Sequence, residues 1–323
     1  MDVAEVTSPR GPAVSVIKAG MLTTVQDAGR WGYQARGVPV AGPMDPVSHR
    51  LANALVGNVR GAALLEVTLM GPELEFEDER VVAMTGAQFE LWLDGRQAPS
   101  HTPFVVCAGS RLKFGARQLG ARAYLAVSGG IAVPEMLGSR STHLVSAMGG
   151  VGGRALIGGD RLPLGDPSTR GPALGPHDPI APLPDRHAIL RVLPGPQLDY
   201  FMADALEVLQ SAPYAIAGNS DRMGFRLEGP RLTHARGADI ISDATPLGVL
   251  QIPASGQPIL LMADRQTSGG YPKIATVISA DMAVAGQLAP HDTITFAVCT
   301  TVEAMKALIA QERVLMAVED RHS

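Results

Sequence analysis

Residues 259–278 read ILLMADRQTSGGYPKIATVI. An apolar run from Ile259 to Ala263 leads into a polar loop, Asp264 to Lys273, and a second apolar run from Ile274 to Ile278 leads out of it. Short runs rich in branched residues and bounded by Gly and Pro read as strands, because a helix needs a longer periodic stretch. The same grammar recurs on both sides of this stretch. It predicts strands at 14–17, 64–69, 81–85, 89–93, 104–107, 124–128, 188–193, 249–252 and 293–298. The chain holds 36 Gly and 25 Pro among 323 residues, which punctuates it every few positions and favours short strands with tight turns. The expected class is therefore mainly β with a few helices.

Asp45-Pro46 opens a helix, with Asp45 as the cap and Pro46 at the first helical position. Val47, Leu51, Ala54 and Leu55 share one face, and Gly57 closes it. A second helix is expected after Pro196, with Leu198, Phe201, Met202, Ala205, Leu206 and Leu209 on one stripe. A last one is expected over 302–318, with Met305, Leu308, Ile309, Leu315 and Met316 on its apolar face. Ala304-Met305-Lys306 matches the core of a biotin attachment site, but such sites sit on exposed hairpins and this one lies in the helix. Asp94-Gly95 reads as a hairpin turn. Residues 21–37 read as a Gly-punctuated loop.

Residues 166–187 carry Pro167, Pro172, Pro176, Pro179, Pro182 and Pro184, the composition of an extended, semi-rigid connector. The expected division is a flexible N-terminus at 1–13, an N-terminal β-rich lobe at 14–165, a Pro-rich linker at 166–187, a C-terminal lobe at 188–300 and a terminal helix at 301–323.

Composition excludes several function classes. Charged residues are 18%, against about 25% on average, and hydrophobic residues are 46%, enough for a core. A net charge of −4 without a Lys/Arg block argues against nucleic acid and against an anionic membrane surface. No apolar run approaches the ~18 residues that span a bilayer. The first residues lack the apolar stretch of a signal peptide. Cys107 and Cys299 both sit in apolar runs and read as core residues, and a reducing, cytoplasmic setting is expected. The 8 histidines show no metal-ligand spacing, so no metal site is expected.

The chemistry is expected in loops. Gly138-Ser139-Arg140-Ser141-Thr142 offers a guanidinium fork with flanking hydroxyls, suited to an anion or oxyanion; the competing reading is a surface turn. In the loop from Asp264 to Lys273, Gly269-Gly270 lets the backbone approach a ligand. Arg265 and Lys273 there suit a developing negative charge, and Asp264 suits orienting one of them. Gly149 to Arg154 is Gly-rich but lacks the ending of a P-loop. Asp27 with Arg30, and Asp221 with Arg222, read as internal ion pairs that staple their own loops. There is no nucleophile elbow.

Taken in order, these segments resemble the biotin-dependent carboxyltransferase family, whose members include the C subunits of 5-oxoprolinases and part of urea carboxylase. The resemblance rests on 23–30 (TTVQDAGR), 42–46 (GPMDP) with 52–58 (ANALVGN), 137–142 (LGSRST), 220–224 (SDRMG) and 264–273 (DRQTSGGYPK). It covers nearly the whole chain, departing at Pro43, where Ala is the more usual residue.

The resemblance implies two β-barrel-like lobes with cyclophilin-like architecture. It implies a smaller partner subunit of the same family and a third subunit. Together these would use ATP, with Mg, to open 5-oxo-L-proline to L-glutamate. The alternatives are carboxyl transfer from carboxybiotin on another chain to urea or a related amide, and a regulatory binding subunit. Under the first reading Arg140, Arg265 and Lys273 surround the transferred charge. Ser139, Ser141, Thr142, Thr267 and Ser268 supply hydrogen bonds. Gly269, Gly270 and Tyr271 complete the binding loop. Asp264 or Asp27 orients or acts as base.

Overall fold

The structure, a computed structural model, describes residues 11–167 and 177–320. The expected strands form, and pairing adds more. The N-terminal sheet holds β1 (Ala13–Lys18), β2 (Leu22–Gln26), β3 (Leu64–Thr68), β4 (Glu73–Phe76), β5 (Arg80–Leu93), β6 (Arg96–Ala98), β7 (Phe104–Val106), β8 (Arg111–Val127) and β9 (Arg161–Pro163). Its order is β2-β3-β8-β4-β1-β9, and β5 pairs with β8 while carrying β6 and β7. The sheet curls into half a barrel around Val14, Phe76, Phe89 and Leu125.

The second lobe holds β10 (His187–Pro194), β11 (Tyr214–Ile216), β12 (Gly224–Glu228), β13 (Asp243–Ala244), β14 (Val249–Gln251), β15 (Ile259–Leu261), β16 (Ser268–Gly269), β17 (Lys273–Val277) and β18 (Thr293–Val298). It closes in the order β10-β17-β14-β15-β12-β11-β18, through a parallel pairing of β18 with β10. Leu190, Phe225, Leu250, Leu260, Ile274 and Phe296 fill the interior. The remaining strands, β13 and β16, form a separate two-stranded ribbon. The mainly β class expected from the sequence is the class observed.

Among the described residues four α-helices complete the fold: α1 (Pro46–Leu55), α2 (Ala205–Gln210), α3 (Met282–Gly286) and α4 (Thr301–Glu319). Asp45 caps α1 by accepting from Val47 and Ser48 N–H, as its sequence predicts. Asp94 and Gly95 form a two-residue hairpin turn, with φ of +50° and +78°, the left-handed pair that matches strand twist. Among the described residues no helix is long and apolar enough to cross a membrane.

Several expectations require correction. Residues 22–26, read as loop, are strand β2, because Thr23, Thr24 and Val25 are β-branched and pair with β3. The two strands at 81–85 and 89–93 are one bulged strand, β5. The helix after Pro196 is a short turn, Leu198–Tyr200, followed by α2. The chain breaks between them because Phe201 is extended, bridged to His234 and packed on its ring.

In α4, Leu315 and Val318 are buried, whereas Met305, Ile309 and Met316 are about half exposed. Arg50 of α1 holds Glu312 and Glu319, which sets the rotation of α4 so that, of the expected apolar face, Leu315 meets the core while Met305, Ile309 and Met316 do not. Cys107 is exposed and Cys299 half-buried, since both lie just past the ends of their strands. Residues 168–176 of the expected linker, 1–10 of the expected N-terminus and 321–323 of the expected helix lie outside the described residues. In the described remainder of the linker, Ile180 and Ala181 pack beside α1 and α4.

α1 sits at the junction of the lobes and carries a fully buried imidazole. His49 lies edge-on to Tyr124, and its Nε2 has no partner. Burial holds its pKa down to about 4, against the pull of the Asp27 and Glu66 charges. The unfolded chain takes up a proton near pH 6.5, and the folded chain does not. Stability is therefore complete above about pH 6.5 and falls as the pH drops toward 4, by on the order of 3 kcal/mol. Urea titrations at pH 7 and 4.5 measure this, and His49→Gln should lose that part of the slope. An unchanged slope in the variant would place the acid sensitivity elsewhere.

Candidate functional site

The predicted loops gather into three groups along the junction and the outer wall of the barrel. In the first, β2 delivers Asp27 beneath the loop 138–142. Asp27 Oδ1 accepts from Ser139 Oγ (2.7 Å), Ser141 Oγ (2.6 Å) and Gly29 N–H (2.9 Å), and Oδ2 accepts from Arg140 N–H at 2.5 Å. Burial pushes this carboxyl up, but the two hydroxyls and two N–H groups outweigh it and hold its pKa below the ordinary value. The loop is thus an anion cradle, as its sequence indicates, and the chain's own carboxylate fills it.

Thr142 Oγ1 donates to Val25 O. The Arg140 guanidinium turns away, donating to Val133 O and pairing with Glu135 at 2.8 Å. Arg30 is fully buried but makes no ion pair with Asp27. It donates instead to Met136 O and Ser141 O. The run 149–153 packs on the same knot: a Cβ at Gly149 would lie 2.2 Å from Ser141 O, and one at Gly150 2.0 Å from Thr142 Oγ1. Its glycines serve close approach within the chain.

The second group joins the lobes. Arg222 donates from Nε and Nη2 to both oxygens of Asp264, each at 3.0 Å, from Nη1 to Glu66, and from Nη2 to Gly42 O at 2.6 Å. Glu66 Oε2 also accepts from Met44 N–H and the Tyr124 hydroxyl. All three charges are at most 5% exposed. Burial alone would lower the Arg222 pKa, but the Asp264 and Glu66 carboxylates reverse this and keep it charged. The expected Asp221–Arg222 pair is not made, because Asp221 accepts from Met223 and Gly224 N–H in a local turn. Asp264 orients Arg222, and its carbonyl lies 3.3 Å from His143 Nε2.

The third group lies on the outer face of the barrel. Lys273 is 2% exposed and pairs at 2.7 Å with Asp243, which is 55% exposed. Lys273 holds the Asp243 pKa below its ordinary value, helped by Ala244 N–H. The ribbon β13–β16 sets Asp243 opposite Gly269 and Ala244 opposite Ser268. Thr245 ties the ribbon to the loop, accepting from Arg265 Nε at its carbonyl and donating its N–H to Thr267 O. Arg265 has carbonyl partners and no carboxylate within ion-pair range among the described residues. Burial lowers its pKa, partly offset by Asp264. Beside this group runs an open groove of about 550 Å³, lined in part by Gln251, Gln266, Tyr271, Arg226 and Gln257. Among the described residues no cluster of His, Cys, Asp and Glu is arranged to hold a metal.

Sequence reading missed Glu66, Asp243 and Gln251. Glu66 and Gln251 did leave a signal, since each is a lone polar residue inside an apolar strand. Asp243 left none, as its partner is set by the ribbon.

Comparison with known proteins places this geometry. A family profile described as carboxyltransferase domain, subdomain A and B, matches residues 36–298. The chain is 40% identical over 304 residues to the 5-oxoprolinase C subunit of Escherichia coli, with 93% of this chain and 96% of that protein covered. It is 36% identical over 330 residues to the urea amidolyase of Lachancea kluyveri, covering 95% of this chain but 18% of that enzyme. The crystal structure of the Kluyveromyces lactis urea carboxylase superposes with a TM-score of 0.88 at 35% identity, over 97% of this chain and 30% of that one.

Proposed function

Because this chain belongs to the carboxyltransferase domain family, subdomains A and B, we propose that it is the C subunit of an ATP-dependent 5-oxoprolinase, opening 5-oxo-L-proline to L-glutamate with partner subunits. One observation carries the reading: the chain matches 96% of the length of the E. coli 5-oxoprolinase protein, but only 18% of a urea amidolyase. A smaller subunit of the same family and a third subunit are the expected partners.

The chemistry asks for positive charge near an amide oxygen. Opening a lactam breaks a resonance-stabilised C–N bond and places negative charge on the carbonyl oxygen, or on a phosphoryl group attached to it. Lys273, held by Asp243, and Arg265, which has no carboxylate partner among the described residues, are the cations of the ribbon group that we assign to this charge, and Arg226 lines the groove itself. ATP supplies the activation of the lactam oxygen. The Gly-rich loops at 138–142 and 149–153 leave no room for a triphosphate. Asp27 fills the cradle at 138–142, and the glycines at 149 and 150 are closed by Ser141 and Thr142. These two closed loops support a reading in which a partner subunit holds the nucleotide and this chain holds the amide.

The test is glutamate release from 5-oxo-L-proline by the assembled subunits, with and without ATP, and with this chain omitted. ATP-dependent release that disappears on omission is the expected result. No release from a folded, assembled complex would overturn the reading and favour carboxyl transfer from carboxybiotin to urea or a related amide.

A further inference from the structure

Gln251 sits in β14 between Leu250 and Ile252. Leu250 points into the barrel core, so alternation along the strand turns Gln251 to the outer face. There the ribbon β13–β16 covers it, leaving 1% exposed. Its Nε2 is buried and has no hydrogen-bond partner. An unpaired buried amide costs about 1–3 kcal/mol, and native chains pair the large majority of such groups. Each exception calls for its own explanation, such as an ordered water, an ion or a bound ligand, and at Gln251 the surroundings point to the last.

The surroundings of Gln251 have the form of such a place. A Cβ at Gly269 would lie 2.5 Å from Gln251 Nε2 and 2.8 Å from Gln266 Nε2. The two carboxamides converge over the one residue in the ribbon that has no side chain. Both line the groove, together with Tyr271.

We propose that Gln251 and Gln266 form a binding site for the neutral carbonyl oxygen of a small amide. Their N–H groups are uncharged donors, matched to an uncharged acceptor. The charge of Lys273, in register opposite Gln251, is balanced by Asp243, so the two groups that converge at Gly269 present neutral donors to the groove. The charged lining of the groove is mixed, with Arg226 against Asp221 and Glu228, and does not select an anion. The amide class follows from these donors. Identifying the amide as the lactam of 5-oxoproline rests on the function proposed above.

Saturation-transfer NMR on the full chain, alone and assembled with its partners, tests the site. The probes are 2-pyrrolidinone, 5-oxo-L-proline and, as a carboxylate without an amide, propionate. Both lactams should bind and propionate should not. Gln251→Leu should weaken both lactams by about tenfold, and its Tm should equal or exceed that of the parent, since an unpaired polar group is removed. Gln266→Ala, at an exposed position where folding is not at stake, should also weaken both. Lactam binding absent from both forms, or unchanged in the variants, would overturn the site. A Tm fall of several degrees in Gln251→Leu would do the same, by making the residue structural. A complex inactive on 5-oxoproline whose lactam binding still depends on Gln251 would sink only the function. An active complex in which Gln251→Leu keeps the parent KM would sink only the site.

Discussion

Replacing Arg222 by Met should destabilise the chain by about 3–5 kcal/mol, the cost of leaving buried carboxylates without their cation. Glu66 and Asp264 are 1% and 2% exposed, so neither can turn to water. The ion set spans the lobes, reaching from β3 to the loop that begins at Asp264. Its loss should also loosen the groove. Urea denaturation of the single variant reads the effect. A triple variant, Arg222→Met with Glu66→Leu and Asp264→Leu, should recover most of it, because all the buried charges leave together. A single variant within about 1 kcal/mol of the parent would show that the set contributes little.

Lys273→Met should lower glutamate release by the assembled complex by about a hundredfold or more, the usual effect of removing a donor aimed at developing negative charge. Stability should change much less than in the Arg222 variant. The methionine keeps the apolar stem of the lysine, and Asp243, already half exposed, can be solvated once its partner is gone. The two variants therefore separate the buried ion set from the proposed site: the first is read in denaturant, the second in turnover. Release at the parent rate from Lys273→Met would remove the lysine from the chemistry.

Where sequence reading succeeded, the determining interactions are local. Asp45 caps α1 through bonds to residues two and three positions on. Asp94-Gly95 turns a hairpin through its own backbone angles. The strands from Ile259 and Ile274 form where apolar runs meet turn residues. The break at Phe201 and the rotation of α4 went unread because partners distant in sequence, His234 and Arg50, impose them.

The candidate loops were likewise identified from sequence, but their contents were not. A mainly β chain, its turns, one helix start and the family whose ordered loops it carries are all legible in the residue order. These follow from backbone propensities and hydrophobic alternation within a few residues. Which charges meet is set by the folded chain. Asp27 fills a cradle 112 residues away, and Arg222 reaches Glu66 across 156 residues. Lys273 finds Asp243 through a ribbon laid over the barrel, and Gln251 is left without a partner beneath it. Such pairings depend on strand register and on closure of the barrel, quantities no short stretch of sequence contains.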